Sequence, residues 1–499
     1  MIGPRRAMRT LFGEALRMHA SDPRAPPALA SPEREISYAE LVERVQRRAA
    51  WLSREGCAPS VPVGVSVVDE LENLVVSLAL LELGVPQVGL STLVPEPMRL
   101  ALARRLALGR VVADDSRHAL PGIAASLAAP GDPGDPEASA PRPLDPDPDA
   151  PALFASSSGT TGIPKILALS QRVIAWRARQ LAGVQAFARD ERLLVPLSNQ
   201  EYPGKSMRLY ALCLGCTAIE WPGARAAIAS VPAYCRATRT TTLQLTVLQA
   251  RALAGAEAPS DRLPSSTRVY LGASRMPAGL PALFESRVGG RLYNRYGTTE
   301  IGIVATMYPD GDDGTPDSVG RPSAGVEVEI VGDHGRPLPH GEAGEIRLRA
   351  ECMVDRYHGD PVATAKHFVG GWFYPRDIAM ITPGGVLRYL GRRDDMMKLA
   401  NINVFPAEIE RVLEEHPAVA SAAAFPIPSA VHGDIPAAAV ELRAPGGVDV
   451  PTLASYARER LGVRAPRKIA ILDALPRNAA GKVIKRELAK ILAPRAPDG

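Results

Sequence analysis

The fold is decided around residues 152–165, which read ALFASSSGTTGIPK. A short apolar stretch, Ala152–Ala155, leads into a run of hydroxyl side chains and glycines that ends at Lys165. Such a loop offers many N–H and O–H donors with little bulk, so it can surround polyphosphate oxygens, and the lysine adds a point charge. It is not a Walker loop, because G-x-x-x-x-G-K-[ST] cannot be read through it. The alternative, a flexible polar linker, leaves the apolar lead-in and the Pro-Lys ending unexplained.

A second segment, Tyr293–Glu300, reads YNRYGTTE and combines aromatic rings, an amide, a turn glycine and a carboxylate. These groups can stack on a base, bond to its edge and hold Mg²⁺ through the carboxylate of Glu300. Taken alone the segment is a weak signal, because a Tyr-Gly turn before a helix is a common structural feature.

The composition limits the remaining possibilities. At 499 residues the chain exceeds the size of one hydrophobic core, so two or more domains are expected. Leu74–Leu83, the longest apolar stretch, is half the roughly 20 residues of a membrane helix. The amino-terminal residues show no small-residue cleavage site, so a cytoplasmic location is expected. The net charge of +4 is scattered along the chain, which predicts no nucleic-acid partner.

Helical and extended patterns alternate in the first half of the chain. Residues 36–55 have apolar side chains at helical spacing, and Ser37 is the expected N-cap. Val61–Val68, with its true start after Pro62, and Arg110–Ala113 have the apolar character of buried strands. This alternation predicts a parallel sheet covered on both faces.

The second half has a different pattern. Residues 129–151 are rich in Pro and Asp and are predicted to form an exposed loop. From about 318 to 350, short alternating segments predict a small antiparallel barrel or sheet. A compact segment of about 100 residues follows residue 391, within the usual size of a domain.

The two motifs, in this order and at this separation, resemble the adenylate-forming (AMP-binding) superfamily. That superfamily includes acyl-CoA synthetases, aryl-acid ligases, luciferases and the adenylation domains of peptide synthetases. The resemblance covers nearly the whole chain, because Gly341–Ile346, Tyr357–Thr364, Gly371–Asp377, Gly391–Asp395 and Pro476–Lys482 match further motifs in register. It implies an α/β fold with a large amino-terminal domain, residues 1–391, made of two α/β subdomains and a small β-barrel. A smaller, mobile α+β domain, residues 392–499, would carry the catalytic lysine.

The resemblance also implies roles for individual residues. The implied ligands of the pyrophosphate portion of ATP are Ser156, Ser157, Ser158, Gly159, Thr160, Thr161, Gly162 and Lys165. The other implied cofactor-binding residues are Gly272, Ala273, Ser274, Asn294, Tyr296, Gly297, Thr298, Asp377 and Arg392. Asp377 would bond the ribose hydroxyls, and Asp394 would be the pivot of the interdomain hinge. Thr299, Glu300 and Lys482 are the implied catalytic residues, with Glu300 as the Mg²⁺ ligand.

Lys482 has a physical role in such a reaction. Attack of a carboxylate on the α-phosphorus of ATP brings two anions together and builds negative charge on the equatorial oxygens. An ammonium between them stabilises that charge most where it develops. Arg is the usual cation in this chain, with 8 Lys among 58 basic residues, so each lysine is more informative than usual.

The family usually transfers the activated acyl group to a thiol, and coenzyme A is the acceptor expected here. After Lys398, however, this chain has Leu399-Ala400-Asn401, where the family has a small residue and then Gly. The Asn401 side chain could narrow the thiol channel. The alternative acceptor is the phosphopantetheine of a carrier protein, and a second alternative is a non-catalytic nucleotide-binding homologue, which the intact Glu300, Asp377 and Lys482 disfavour.

The implied acid pocket includes the segment Pro196–Lys205, PLSNQEYPGK. It lacks the aromatic-His pair of many acyl- and aryl-CoA ligases. It also lacks the Phe-Asp pair that holds an α-ammonium in amino-acid-activating domains, which argues against an amino acid substrate. Tyr202 and Lys205 are the candidate pocket residues. Lys205 would pair with a second carboxylate or another acidic group of the substrate, or else help to hold the loop or face solvent.

Overall fold

The computed structural model describes most of the chain. The described residues are 12–128, 147–157, 165–185, 187–223, 226–256, 261–272, 274–277, 279–309, 317–351, 353–399, 402–429, 433–477 and 481–492. Ser158 to Gly162, Ala273 and Asn401 lie outside them, as does most of the loop predicted at 129–151.

Helices and strands alternate through much of the described chain. The helices are α1 (Phe12–Ala20), α2 (Tyr38–Arg54), α3 (Glu70–Glu82), α4 (Glu96–Arg105), α5 (Gln171–Gln185), α6 (Tyr202–Cys213), α7 (Val231–Ala237), α8 (Val247–Gly255), α9 (Leu280–Arg287), α10 (Pro361–His367), α11 (Pro406–Glu414), α12 (Val450–Leu461) and α13 (Lys485–Leu492). The strands of the first half are β1 (Leu29–Ala30), β2 (Glu35–Ile36), β3 (Val63–Ser66), β4 (Gln87–Gly89), β5 (Arg110–Ala113), β6 (Ala124–Leu127), β7 (Pro151–Ser157), β8 (Lys165–Ser170), β9 (Arg192–Leu194), β10 (Thr217–Ile219) and β11 (Thr242–Thr246). The later strands are β12 (Leu263–Gly272), β13 (Gly289–Thr298), β14 (Gly302–Met307), β15 (Ser318–Pro322), β16 (Val326–Val331), β17 (Ala343–Ala350), β18 (Phe368–Val369), β19 (Trp372–Phe373), β20 (Asp377–Ile381), β21 (Leu387–Arg392), β22 (Met397–Leu399), β23 (Ile402–Val404), β24 (Val419–Ser429), β25 (Gly433–Leu442) and β26 (Lys468–Leu472).

A six-stranded sheet organises the first part of the chain, in the order β6-β5-β3-β4-β7-β8. Its pairs are parallel except for the β7–β8 hairpin, whose connection is the polar loop. The predicted helix at 36–55 is confirmed as α2, because the Ser37 side chain accepts a hydrogen bond from the Glu40 N–H at the helix start. The strand predicted after Pro62 is confirmed as β3.

A longer sheet forms the centre of the molecule, in the order β18-β19-β17-β20-β21-β15-β14-β13-β12-β11-β9-β10-β1-β2, with β16 paired to β17. The strands β9 to β13 run parallel to one another, whereas β13 and β14 are antiparallel. The carboxyl ends of β11, β12 and β13 therefore lie side by side. In open α/β sheets, ligands bind outside the carboxyl ends of the strands.

The segment from about 318 to 350 forms antiparallel strands, as predicted, with β16 and β17 paired over six residues from Val326↔Ala350 to Val331↔Glu345. In β17, Ile346 and Leu348 are buried and lie two residues apart, so they share the covered face of the strand. Among the described residues, the strand pairing follows an open path rather than a closed ring.

A smaller carboxy-terminal domain follows the large amino-terminal one. Its strands pair in the order β23-β22-β25-β24, with β26 added parallel to β25. Met397, Ile409, Leu413, Ala438 and Leu453 belong to its own hydrophobic cluster, separate from those of the large domain. The boundary at residues 391 and 392 stays a prediction. No helix in the described ranges is long and apolar enough to cross a membrane.

Candidate active site

A cavity of about 1160 Å³ lies at the carboxyl ends of the parallel strands, where the large sheet faces the smaller domain. Most of the site residues expected from the sequence are brought together on its wall. They are Ser156, Lys165, Tyr202, Lys205, Ser274, Asn294, Tyr296, Gly297, Thr298, Thr299, Glu300, Asp377, Arg392 and Lys482. Gly272 ends β12, but neither it nor Asp394 nor Lys398 is among the lining residues.

Asp377 begins β20 and is 4% exposed. Its Oδ2 accepts a hydrogen bond from the Tyr296 hydroxyl at 2.5 Å, and its Oδ1 accepts one from Arg392 Nη1 at 2.8 Å. Burial raises the pKa of the Asp377 carboxyl, and Arg392 opposes that rise. The strand pairing holds this geometry, because Asp377 and Arg392 are register partners on β20 and β21.

Glu300 follows the end of β13 and is 7% exposed. Its Oε1 accepts a hydrogen bond from the Tyr357 hydroxyl at 2.8 Å, and its carbonyl oxygen accepts one from Arg177 Nη2 at 3.0 Å. Burial and the Glu300 charge raise the pKa of Tyr357, so its hydroxyl remains a donor. Arg177 was not identified from the sequence, where nothing distinguishes it from the other two arginines of α5.

Lys482 reaches the cavity from the smaller domain, directly after Gly481. Gly481 has a φ of 78°, and a Cβ there would lie 2.9 Å from the Leu248 side chain, so glycine is required at this turn. Burial lowers the pKa of Lys482, Arg392 lowers it further, and Asp377 opposes both. The lysine thus belongs to the same electrostatic environment as the candidate ribose carboxylate.

Lys165 begins β8, directly after the polar loop, and is half-buried. Its Nζ lies 2.7 Å from His367 Nε2 and 4.8 Å from the centre of the Tyr357 ring. His367 was missed in the sequence, because a single histidine in a helix gives no pattern that distinguishes it from a core residue.

Comparison with known proteins identifies family models that match most of the chain. A family model described as AMP-binding enzyme matches residues 16–358, and one described as AMP-binding enzyme C-terminal domain matches residues 408–482. The chain belongs to the AMP-binding enzyme family.

Three relatives of this AMP-binding enzyme illustrate the match. It is 36% identical to 2-succinylbenzoate–CoA ligase of Geobacillus kaustophilus over 48% of this chain and 49% of that protein, about half the length of the relative. It is 29% identical to indoleacetate–CoA ligase of Aromatoleum aromaticum over 93% of this chain and 95% of that protein. The structure of the amide bond synthetase McbA from Marinactinospora thermotolerans superimposes with a TM-score of 0.86 at 24% identity, covering 97% of this chain and 100% of McbA. The structural match to McbA shows a common fold.

The candidate acid pocket of this AMP-binding enzyme contains Tyr202 and Lys205, both on α6. The Tyr202 hydroxyl accepts a hydrogen bond from Arg177 Nη1 at 3.1 Å. Lys205 is 3% exposed, and its Nζ donates to Ser77 Oγ on α3 at 2.7 Å. Burial lowers the pKa of Lys205 to about 7, opposed by the charge of Glu70. The burial does not fit a side chain that faces solvent, and the contact with Ser77 favours the role in which Lys205 helps to hold the loop.

In the candidate hinge, Asp394 and Arg393 form ion pairs outside the cavity, whereas Gly391, Arg392 and Asp395 line it. Arg376 binds the Asp394 carboxylate, with its Nη2 at 2.5 Å from Oδ1, and Arg393 pairs with Glu345. The backbone N–H of Lys398 donates to Asp434 Oδ2 at 2.9 Å, and the Lys398 side chain is exposed. The pivot and thiol-channel roles of Asp394 and Lys398 remain predictions.

Proposed function

We propose that this AMP-binding enzyme uses ATP to convert a carboxylic acid into an acyl-adenylate and pyrophosphate, and then transfers the acyl group to the thiol of coenzyme A. The observation that carries the proposal is the convergence of Lys482, Asp377 and Glu300 on one cavity from three separate segments of the chain. The matches to coenzyme A ligases along the chain support the same reaction.

In the first step, an oxygen of the acid forms a bond to the α-phosphorus. The bond from that phosphorus to the bridging oxygen breaks, and pyrophosphate leaves with the electron pair. The Lys482 ammonium would lie between the carboxylate and the α-phosphate and stabilise the charge that develops there. Asp377, which already accepts two hydrogen bonds, would accept further ones from the ribose hydroxyls.

The residues present fit a Mg²⁺ ion. Mg²⁺ prefers oxygen ligands and is commonly held by one or two carboxylates together with substrate phosphates. Glu300 offers such a carboxylate on the cavity wall, oriented by the Tyr357 hydroxyl. When bound, the ion would shield the charge of the departing pyrophosphate.

In the second step, the thiol sulfur attacks the acyl carbonyl carbon and loses its proton to solvent. The carbon–sulfur bond forms, the bond from that carbon to the phosphate oxygen breaks, and AMP leaves with the electron pair. Coenzyme A is the acceptor named for both ligases to which the chain is similar. The phosphopantetheine of a carrier protein supplies the same thiol and is the alternative acceptor.

The test is acid-dependent ATP–pyrophosphate exchange over a panel of aliphatic, aromatic, dicarboxylic and amino acids. We expect exchange with a subset of simple acids and a loss of about 10²-fold or more in Lys482→Ala. Thioester formation on coenzyme A and on a loaded carrier protein then identifies the acceptor. Binding of ATP without exchange for any acid would favour a non-catalytic homologue, and unchanged exchange in Lys482→Ala would refute the role of the lysine.

A further inference from the structure

The ammonium of Lys165 is held by a neutral partner at the edge of the cavity. Its Nζ lies 2.7 Å from Nε2 of His367, which is the last residue of α10 and 5% exposed. The two residues are 202 positions apart in sequence. The contact therefore joins the start of β8 to the end of α10, directly before β18 of the large sheet.

The protonation state of His367 follows from its other nitrogen. Nδ1 lies 2.8 Å from the carbonyl oxygen of Tyr374, which can only accept, so Nδ1 carries the proton. The backbone N–H of Tyr374 donates in return to the His367 carbonyl oxygen at 2.7 Å, which fixes the two residues together. Burial, and after it the charges of Lys165 and Lys366, lower the pKa of His367 to about 4. At neutral pH, Nε2 is therefore an acceptor directed at the ammonium.

Aromatic rings restrict the same two side chains. The Lys165 ammonium lies over the Tyr357 ring, at 4.8 Å from its centre. The imidazole of His367 packs edge-on against Tyr357 at 5.6 Å and lies nearly parallel to Phe373 at 6.3 Å. The lysine is thus held from two sides by groups without a net charge.

A neutral partner has a specific advantage for a lysine that binds phosphate. A carboxylate at the position of His367 would neutralise the ammonium and compete with the phosphate for it. An imidazole restricts the side chain and leaves its charge available. Ordering a long side chain costs conformational entropy, and a side chain that is ordered beforehand reduces this cost when the ligand binds.

We propose that His367 is a positioning residue that presents the Lys165 ammonium to the β- and γ-phosphates of ATP. The inference rests on the proposed function, because it requires ATP in the cavity. It assigns to His367 a role in nucleotide binding that acts entirely through Lys165.

The test compares MgATP and AMP binding to the whole protein by calorimetry, which needs no knowledge of the acid. For His367→Phe, which keeps a ring but removes the acceptor, we expect MgATP affinity to fall about tenfold, the usual size for a hydrogen bond to a charged group. AMP lacks the β- and γ-phosphates, so its affinity should stay unchanged. His367→Gln places an amide oxygen in the same region and should recover part of the loss.

A double-mutant cycle separates positioning from general damage to the fold. In a Lys165→Met background, His367→Phe should cause no further loss of MgATP affinity, since its effect depends on the lysine. Equal losses in both backgrounds, or an equal loss of AMP binding, would overturn the inference. Normal MgATP binding in His367→Phe would also overturn it while leaving the proposed function intact, whereas a wild-type protein that binds no MgATP would refute both.

A second measurement does not depend on nucleotide. The ¹⁵N chemical shifts of the His367 imidazole should report a proton on Nδ1 and a hydrogen-bonded lone pair on Nε2 in the wild-type protein. The Nε2 signal should move in Lys165→Met while Nδ1 remains protonated. A signal that does not respond to Lys165→Met would contradict the pairing itself.

Discussion

Lysine is rare in this chain, yet four of its eight lysines, Lys165, Lys205, Lys482 and Lys485, line a single cavity. Their scarcity was visible in the sequence and drew attention to Lys165, Lys205 and Lys482, but not to Lys485. The orientations of these lysine side chains could not be predicted from the sequence, because the orientation of a side chain depends on the residues that pack beside it. The sequence could assign Lys205 to the segment of the acid pocket. Its hydrogen bond to Ser77 could not be predicted, because it depends on how α6 lies relative to α3 in the folded structure.

The lowered pKa of Lys482 predicts a characteristic pH dependence for the proposed adenylation. Burial and Arg392 lower this pKa from its ordinary value of 10.5, and the role proposed for Lys482 requires the charged form. The charge is lost as pH rises through the lowered pKa, so acid-dependent ATP–pyrophosphate exchange should decline at a pH below 10.5. The measurement is the pH profile of exchange with an acid found in the panel.

Lys482→Arg is the matched control, because guanidinium keeps its charge throughout this pH range. Whatever its absolute rate, the variant should lose the alkaline decline. A decline at the same pH in wild type and Lys482→Arg would assign the titration to another group.

At the scale of elements, α2 and α3 are joined by an ion pair within the core. Arg48 Nε lies 2.8 Å from Glu72 Oε1, and the two residues are 3% and 7% exposed. Burial raises the pKa of Glu72 to about 6, although Arg48 opposes the rise. The ionised carboxyl is therefore less favourable in the folded state than in the unfolded chain.

This raised pKa predicts that Glu72 affects stability between pH 4.5 and about 6. The folded state binds the proton more tightly, so the stabilising contribution is present below pH 4.5 and is lost as pH rises through 6, by up to about 2 kcal/mol. Glu72→Gln cannot titrate and should lack this change. Urea unfolding of both proteins from pH 4.5 to 7 measures the difference.

Glu40→Gln is the control for this experiment, because Glu40 forms a partly exposed pair with Arg44 on the same helix α2. Solvent screens such a pair, so the pH dependence of unfolding should match that of the wild-type protein. Equal pH dependence in Glu72→Gln and wild type would show that Glu72 is not responsible.

The helices and strands could largely be predicted from the sequence where their ends depend on neighbouring residues. The N-cap at Ser37 and the start of β3 after Pro62 follow from neighbouring residues, and both are confirmed. The contact between Lys165 and His367 could not be predicted, because it depends on how a hairpin of one sheet meets a helix of another region. The polar loop indicated that a cation would bind phosphate, but nothing near it in sequence indicated what holds that cation in place.

At the scale of the whole molecule, a buried charge cluster joins the two domains. Arg275, in the segment after β12, pairs with Glu414 and lies 3.4 Å from both Glu410 Oε2 and Asp317 Oδ1. Glu410 also accepts from Lys485 Nζ at 2.8 Å. Since Glu410 and Glu414 are on α11 of the smaller domain, these contacts help to hold that domain against the large sheet.

Removing one partner of a buried pair is costly, by about 3–5 kcal/mol, because a buried charge is left uncompensated. Arg275→Met should therefore weaken the docking of the smaller domain. We expect faster limited proteolysis between the two domains and slower acid-dependent exchange, since Lys482 would spend less time at the cavity.

Glu408→Gln on the same helix is the control. Glu408 forms a partly exposed pair with Arg464, and such pairs contribute about 0–1 kcal/mol. Its proteolysis pattern should match that of the wild-type protein. A wild-type pattern in Arg275→Met as well would show that other contacts hold the domains together.

The residues that line the cavity are synthesised in a fixed order. Ser156, Glu300, Asp377 and Arg392 are translated before Lys482, which is among the last of the lining residues to leave the ribosome. A nascent chain can therefore assemble the groups proposed to bind nucleotide while the cation proposed to promote the chemistry is still missing. Under the proposed mechanism, ATP could stabilise the folding large domain during synthesis without being consumed, and turnover would begin only when the smaller domain is complete.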